Sequence, residues 1–565
     1  MNFLQRKTLD RSKPNRRDFM VQSGCAGLGL TSAVNTLAHM QLMGNAAAQS
    51  AGNDYKALVC IFLNGGADTN NFLIPMAGAA RAQYESGRGV PQYAGGAGGI
   101  AIPVADILAA GTQITPDNPV SSYEFSAGHL GGQNMALHPG AYSLKALFDA
   151  GELSFISNVG VLTQPNVTRA NFNSLPPSQR PPQLFSHSDQ QRQWQSSVPD
   201  QPFKSGWGGR LADLMDPVYN TDSNALAMMV SINGFNSFQV GINQQPYVMG
   251  SGGVTSFSGF GTNYTDGLNS TSQQPFTGYD PFRIPGAAGS NYKSNTSGWR
   301  LAALEQLLGM SHASLFDEAY KGVARSARVT EGLVGGALAL TAAANNTTTL
   351  DNHFTSAFAG TGINGLTNGF AAQLRMAARL IVGNTALNNK RQIFFVQLGG
   401  WDTHTSQIPT TGTPAVPRTD QGFYTLMLQL TCAIKGFRDA LMANGVWDKT
   451  LAFTASDFTR TFTPNKIDAT GGSDHGWGGH MMVMGGSVKG KQILGQYPNL
   501  AINTGMDVQG NRGRWIPTTS VDQYGAVIAK WFGVGSGEMN AIFPNLGRFN
   551  DPFSPTTNLD FIHNT

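Results

Sequence analysis

The sequence predicts an α/β fold built on a largely parallel sheet. Short apolar runs recur at 56–63 (KALVCIFL), 153–159, 226–232, 393–398, 449–455 and 481–485. They are too short for typical helices, and their β-branched and aromatic content suits buried strands. Segments with helical apolar spacing alternate with these runs, as an α/β sheet requires. Three of the runs end at an acidic box: GGAD with Asp68, GGWDTH with Asp402 and His404, and ASDF with Asp457. Ligands of parallel α/β sheets sit beyond the carboxyl ends of the strands.

With 565 residues, the chain can bury a large core as one large domain or two to three smaller ones. The apolar share of 41% excludes general disorder, whereas the charged share of 13% is about half the usual value. Polar uncharged residues and 69 glycines carry the surface instead. A net charge of +3, partly from the extreme N-terminus, and no later basic face with interleaved aromatics exclude nucleic acid as a partner.

That N-terminus carries Arg6, Lys7, Arg11, Lys13, Arg16 and Arg17. RRDFM at 16–20 resembles the twin-arginine export signature, a Gly/Ala-rich apolar segment spans 21–43, and Ala46-Ala47-Ala48 offers a small-residue cleavage site. The competing reading is a basic tail with an amphipathic helix. Residues 1–48 are therefore expected to be a twin-arginine signal peptide, with the translocase as the partner during export. The mature chain is expected to be soluble, in the periplasm or outside the cell, with no transmembrane segment. Cys25 lies in that signal within VQSGC, where Gln22 spoils a lipobox. Cys60 and Cys432 sit in apolar settings and are expected to pack as free thiols.

In order, the mature chain opens with the strand at 56–63 and the NGGADTNN turn, and the Gly/Ala-rich stretch 78–105 reads as a surface excursion. LHPGAYSLKALFDAGELSFISNVG (137–160) reads as a helix with Pro139 in its first turn, closed by Gly151, and then a strand. A proline-rich loop at 163–185 delivers a helix start at Ser186 or Ser188, and GWGGRLADLM begins another helix. Residues 234–300, rich in Gly, Ser and Asn, are an insertion or a long loop. Helical spacing returns at 298–346, 366–383, 421–442 and 521–532. A Gly-rich loop covers 462–480, and the tail after 543 is expected to wrap the surface. One domain over 54–565 is the expected organisation.

The three acidic boxes are joined by GGSDHGWGGH, which supplies Asp474, His475 and His480. Any one such residue is ordinarily a cap or turn former. Clustered carboxylates repel one another unless a cation neutralises them, so the set predicts a divalent metal site, with an ion-free polar cluster as the rival. Oxygen and nitrogen ligands suit Zn²⁺, Mn²⁺ or Mg²⁺, or Ca²⁺ where carboxylates dominate; one or two ions are expected. Ser186 is either an N-cap or a nucleophile, and Thr69 is a second nucleophile candidate. His187 and Asp189 are further ligands or partners that orient ligands. Arg460 either binds an anionic oxygen or pairs with Asp457. His480 has the weaker claim, and His138 is read as satisfying backbone groups at a helix entry.

FLNGGADTNNFLIP, SHSDQQRQW, LGGWDTHTSQ, SDFTRT, DHGWGG and GGSVKG, in this order, resemble the DUF1501 family, which looks related to alkaline phosphatases and sulfatases. The resemblance implies an alkaline-phosphatase-like three-layer fold and hydrolysis of phosphate or sulfate esters at divalent metals. It assigns Asp68, Asp402, His404, Asp457, Asp474 and His475 as metal ligands but supplies no nucleophile; Ser186, Thr69 and Arg460 are the catalytic candidates read from the residues themselves. Asp457 departs from the pattern by standing where glutamate is usual, and Thr69-Asn70-Asn71 replaces Gly-Leu-Asn. The expected substrate is an anionic ester, as a small molecule or on a modified glycan. The alternative is a non-catalytic periplasmic or surface-associated binding protein that keeps a metal-site scaffold.

Overall fold

The structure is a computed structural model that describes residues 54–563, apart from 122–129, 131–133, 223–224, 255–295, 310–329, 331–332, 339–346, 409–421, 469, 504, 509 and 558. The expected export signal at 1–48, most of the expected insertion and part of the helical stretch 298–346 lie outside the described residues.

The strands in chain order are β1 (Lys56–Leu63), β2 (Leu73–Pro75), β3 (Gln113–Ile114), β4 (Met135–Leu137), β5 (Leu153–Gly160) and β6 (Met229–Ser231). They continue with β7 (Tyr247–Val248), β8 (Arg391–Leu398), β9 (Thr450–Ser456), β10 (Gly479–Gly485), β11 (Gln492–Gly495) and β12 (Thr519–Ser520). The main sheet runs β11-β5-β10-β9-β1-β8-β6-β7, with β12 also paired to β5, and a small second sheet runs β2-β4-β3. Every pairing in the main sheet is parallel except those of β10, which is antiparallel to both β5 and β9. The expected α/β class with a largely parallel sheet is therefore observed.

Successive side chains of β1 point to opposite faces, as strand geometry requires. Ala57, Val59, Ile61 and Leu63 enter one core with Leu374, Ile381, Leu430 and Phe437 from the helices Gly369–Val382 and Gly422–Ala443. Leu58, Cys60 and Phe62 enter the other with Trp207, Leu211, Val527 and Ile528 from the helices Trp207–Tyr219 and Val521–Phe532. Helices thus cover both faces, giving three layers. Two-sided burial is why β1 reads as an unbroken apolar run.

Three local expectations need correction. The stretch 78–105 holds the helix Gly78–Arg88 and the start of Val104–Ala110. Ala80, Tyr84 and Arg88 recur every four residues on its buried face, so it is packed structure. His480 lies within β10, fully in the core, with its ring stacked 4.9 Å from that of Tyr497. The tail after 543 buries Leu559, Phe561 and Ile562 in the second core. Cys60 and Cys432 are buried and unpaired, and no helix among the described residues is long and apolar enough to cross a membrane.

The turns after β1 and β8 press on one another. Gly65 has φ +113°, and a Cβ there would lie 2.7 Å from the Asp402 backbone nitrogen. Gly65→Ala should therefore destabilise the fold by about 1–3 kcal/mol through both strain and clash, read from the denaturant midpoint. An unchanged midpoint would show that the two turns are not tightly apposed.

Candidate metal centre

Parallel pairing ends three strands at one level. Leu63 stands beside Leu398 on one side and Ser456 on the other. The chain leaving β8 turns at Gly400, φ +96°, and the buried Trp401 packs 5.6 Å from the rings of Phe72 and Phe423. Asp402 and His404 follow. The loop before β10 is tied to them: Ser473 N–H donates to the Thr403 carbonyl at 3.0 Å, and Asp474 N–H to Thr461 Oγ1 at 2.9 Å. Gly472 lies so close that a Cβ would sit 2.4 Å from the His404 carbonyl carbon. His187 arrives separately, as the first residue of the helix His187–Ser196.

These elements bring three imidazoles together. His475 Nε2 lies 3.1 Å from His187 Nε2 and 3.0 Å from His404 Nε2. Asp402 Oδ1 lies 3.1 Å from His404 Nε2, 3.5 Å from His187 Nε2 and 3.7 Å from His475 Nε2. His187, Asp402 and His475 each offer one atom within 4.8 Å of the others, a grouping able to hold a metal ion. Phe458 lies beneath, its ring 4.8 Å from those of both His187 and His475.

The far side of each ring sets its tautomer. His475 Nδ1 is 2.6 Å from the Phe185 carbonyl, which only accepts, so that nitrogen carries the proton. His187 Nδ1 faces Asp457 Oδ2 at 2.6 Å, and His404 Nδ1 faces Asp474 Oδ1 at 2.9 Å. Ionised carboxylates accept as well, so in the neutral rings the Nε2 lone pairs of His187 and His404 each face that of His475. Lone pairs 3 Å apart repel, and a cation between them removes the repulsion. Carboxylate or carbonyl acceptors behind imidazoles are the arrangement that orients metal-binding histidines. The residues present therefore fit a metal ion.

The surrounding charges are balanced one by one. Arg460, buried, donates to Asp402 Oδ1 at 2.6 Å. Burial pushes the Asp402 carboxyl up, but the hydrogen bond and charge of Arg460 outweigh it, and its pKa is lowered. Burial likewise opposes ionisation of Asp474, while hydrogen bonds from His404, Asn465 and Arg512 bring its pKa down to about 2. The hydrogen bond to Asp457 raises the pKa of His187, and burial lowers that of His475. Phe185 holds φ +72°; its N–H donates to Gln190 Oε1 at 2.6 Å, and Arg514 lies over its ring. That conformation presents its carbonyl to His475.

Of the residues singled out in the sequence, Asp402, His404 and His475 lie in the cluster itself. Asp457 and Asp474 stand one layer behind, each bound to an imidazole Nδ1. Asp68 is elsewhere: fully buried, it pairs with Arg88 and accepts from Gln407 Nε2. Thr69 is buried, its Oγ1 2.9 Å from Thr459 Oγ1 and accepting from His480 N–H at 2.9 Å. Ser186 occupies the N-cap position without a side-chain capping bond, and its Oγ donates to Asp189 Oδ2 at 2.6 Å. Arg460 pairs with Asp402, not Asp457. His138 accepts from Gly140 N–H at 3.0 Å at the helix entry, as read from the sequence. His187 has a more central place than its sequence context suggested; a histidine in the first turn of a predicted helix, inside SHSDQQ, was the available signal. Phe458 and the Phe185 carbonyl carried none.

Residues 250–510 match the model of a family described as "Protein of unknown function (DUF1501)". A solved structure titled "Crystal structure of Ps i-CgsB in complex with k-i-k-neocarrahexaose" aligns over 88% of this chain and 77% of its own, at 11% identity and a TM-score of 0.30. No curated protein sequence matches the chain significantly.

Asp474 supplies a pH test on metal-free protein. Its folded pKa is lowered from 3.8 to about 2, so its contribution is present above the unfolded value and is lost as pH falls through that interval. Asp474→Asn should lower stability at pH 6 and flatten the fall between about pH 4 and 2, followed by denaturant melts across pH. Parallel curves for the variant and the parent would contradict this role.

Proposed function

We propose, for a chain whose residues 250–510 belong to the DUF1501 family, that it is a metal-dependent hydrolase of phosphate or sulfate esters. The observation that supports the reading is that the Nε2 atoms of His187 and His404 each face that of His475 across about 3 Å beside Asp402. His187, Asp402, His404 and His475 are the residues that would hold the ion. A divalent ion bound there supplies Lewis-acid polarisation of an ester oxygen and lowers the pKa of water.

The chain's own residues set the conditions for that chemistry. Asp457, Asp474 and the Phe185 carbonyl hold the imidazole Nδ1 protons, so that in each neutral ring Nε2 is the nitrogen that carries the lone pair. Arg460 steadies the Asp402 carboxylate from the buried side, so it positions a ligand and does not contact substrate. The Asp402 and His404 side chains are 47% and 42% exposed, which leaves the cluster open to an ester. Arg512, 31% exposed beside Asp474, adds positive charge at the rim, suited to an anionic substrate. Delivery by the twin-arginine route to the periplasm or cell exterior, read from Arg16 and Arg17, belongs to the same proposal.

Binding without turnover is the second reading. It is favoured by the state of the hydroxyls: Thr69 is sealed in the interior, and Ser186 is engaged with Asp189. A panel of aryl phosphate and aryl sulfate esters, assayed with and without chelator, separates the two. Chelator-sensitive turnover, lost by at least about 100-fold in Asp402→Ala and in His475→Ala, supports the hydrolase. Metal binding with no turnover of any ester supports the second reading. Asp457→Ala should weaken metal affinity by about 10–100-fold, measured by competition with a chromophoric chelator, because it frees the His187 ring.

A further inference from the structure

Resting on the metal-centre reading above, we infer that the centre takes a single ion of the zinc-like, imidazole-preferring class, with His404 Nε2 as the fourth donor, and that the Arg88 guanidinium replaces a second cation at Asp68.

The carboxylates at this sheet edge decide the count. Asp68 has neither side-chain exposure nor an imidazole partner. One oxygen takes Arg88 Nη2 and Gln407 Nε2, and the other faces Asn70 Nδ2 at 3.3 Å. A buried carboxylate needs a countercharge, and Arg88 provides it from a pocket bounded by Tyr84 and Phe462, its Nη1 donating to the Phe462 carbonyl at 3.1 Å. Asp474 is also used on both oxygens, by His404 and Asn465 on one and Arg512 on the other. Asp457 receives His187 Nδ1, Gln191 Nε2 and the Gly65 N–H. Of these four carboxylates, Asp402 is the one that turns an oxygen toward the imidazole Nε2 atoms.

The donor set is therefore three nitrogens and one oxygen. Magnesium and calcium take six or more oxygens, whereas imidazole nitrogen suits zinc and its transition-metal neighbours. Bonds of about 2.0–2.1 Å place tetrahedral donors about 3.4 Å apart. Five of the six separations among these four atoms are 3.0 to 3.7 Å and bracket that value.

The test uses the full chain, stripped with chelator and dialysed against Zn²⁺, Co²⁺, Mg²⁺ or Ca²⁺, with bound metal measured by mass spectrometry. One Zn²⁺ or Co²⁺ per chain, with Mg²⁺ and Ca²⁺ held at least about 100-fold more weakly, is expected. Two ions per chain, or preference for Mg²⁺ or Ca²⁺, would overturn this inference and leave the hydrolase reading standing. No bound ion of any kind would overturn both. His404→Ala should shift the visible bands of the Co²⁺ form and weaken Zn²⁺ binding at least about tenfold; an unchanged spectrum removes His404 from the ligand set. Asp68→Asn, checked for native circular dichroism, should keep one ion per chain and the same Co²⁺ spectrum. If that variant does not fold, the stoichiometry of the unaltered chain still decides the count.

Discussion

The parallel ladder of β1 with β8 and β9 is the constraint on which the centre depends. Each rung is fixed because β1 is buried on both faces: a slip of one residue exchanges Ala57, Val59, Ile61 and Leu63 with Leu58, Cys60 and Phe62. The two cores are filled by different helices, so neither accepts the other's side chains. Correct register makes Leu63, Leu398 and Ser456 neighbours. The turns that follow then have to share one small volume. Glycine at 65 and 472 allows that approach, which brings Asp402, His404 and His475 together at the edge.

The antiparallel β10 belongs to the same arrangement. Running back between β5 and β9, it brings the loop that carries Asp474 and His475 to the edge where the parallel strands end. A parallel strand in its place would start at the opposite edge, and those two residues would precede it there. One reversed strand therefore completes the site.

The strands at 56–63, 153–160, 391–398, 450–456 and 479–485 were legible because two-sided burial writes itself as an apolar run. So were Asp402, His404 and His475 as residues at the carboxyl edge. The partner of each acidic residue was not legible. GGAD and GGWD look equivalent as strings, yet Asp68 meets Arg88, twenty residues along on the buried face of a helix that composition alone disguised as a surface excursion. Asp402 meets imidazoles instead. That difference is made by tertiary packing, as is the position of His187, which comes from a helix start and not from a strand end.

Histidine burial by itself also says little, and the chain contains its own contrast. His138 and His480 are fully buried, and burial lowers each to about 3, which keeps them neutral. His138 spends Nδ1 on a helix-entry N–H, and His480 stacks flat on Tyr497. Both are core residues that use the ring as much as the nitrogens. His187, His404 and His475 are more exposed, and all their Nδ1 atoms are engaged by acceptors. What remains on each neutral ring is one lone pair, those of His187 and His404 directed at that of His475 across about 3 Å. A packed core gains nothing from opposed lone pairs, whereas a site for a cation consists of them. A candidate metal centre is therefore marked by which nitrogen is left over, not by how many histidines are near.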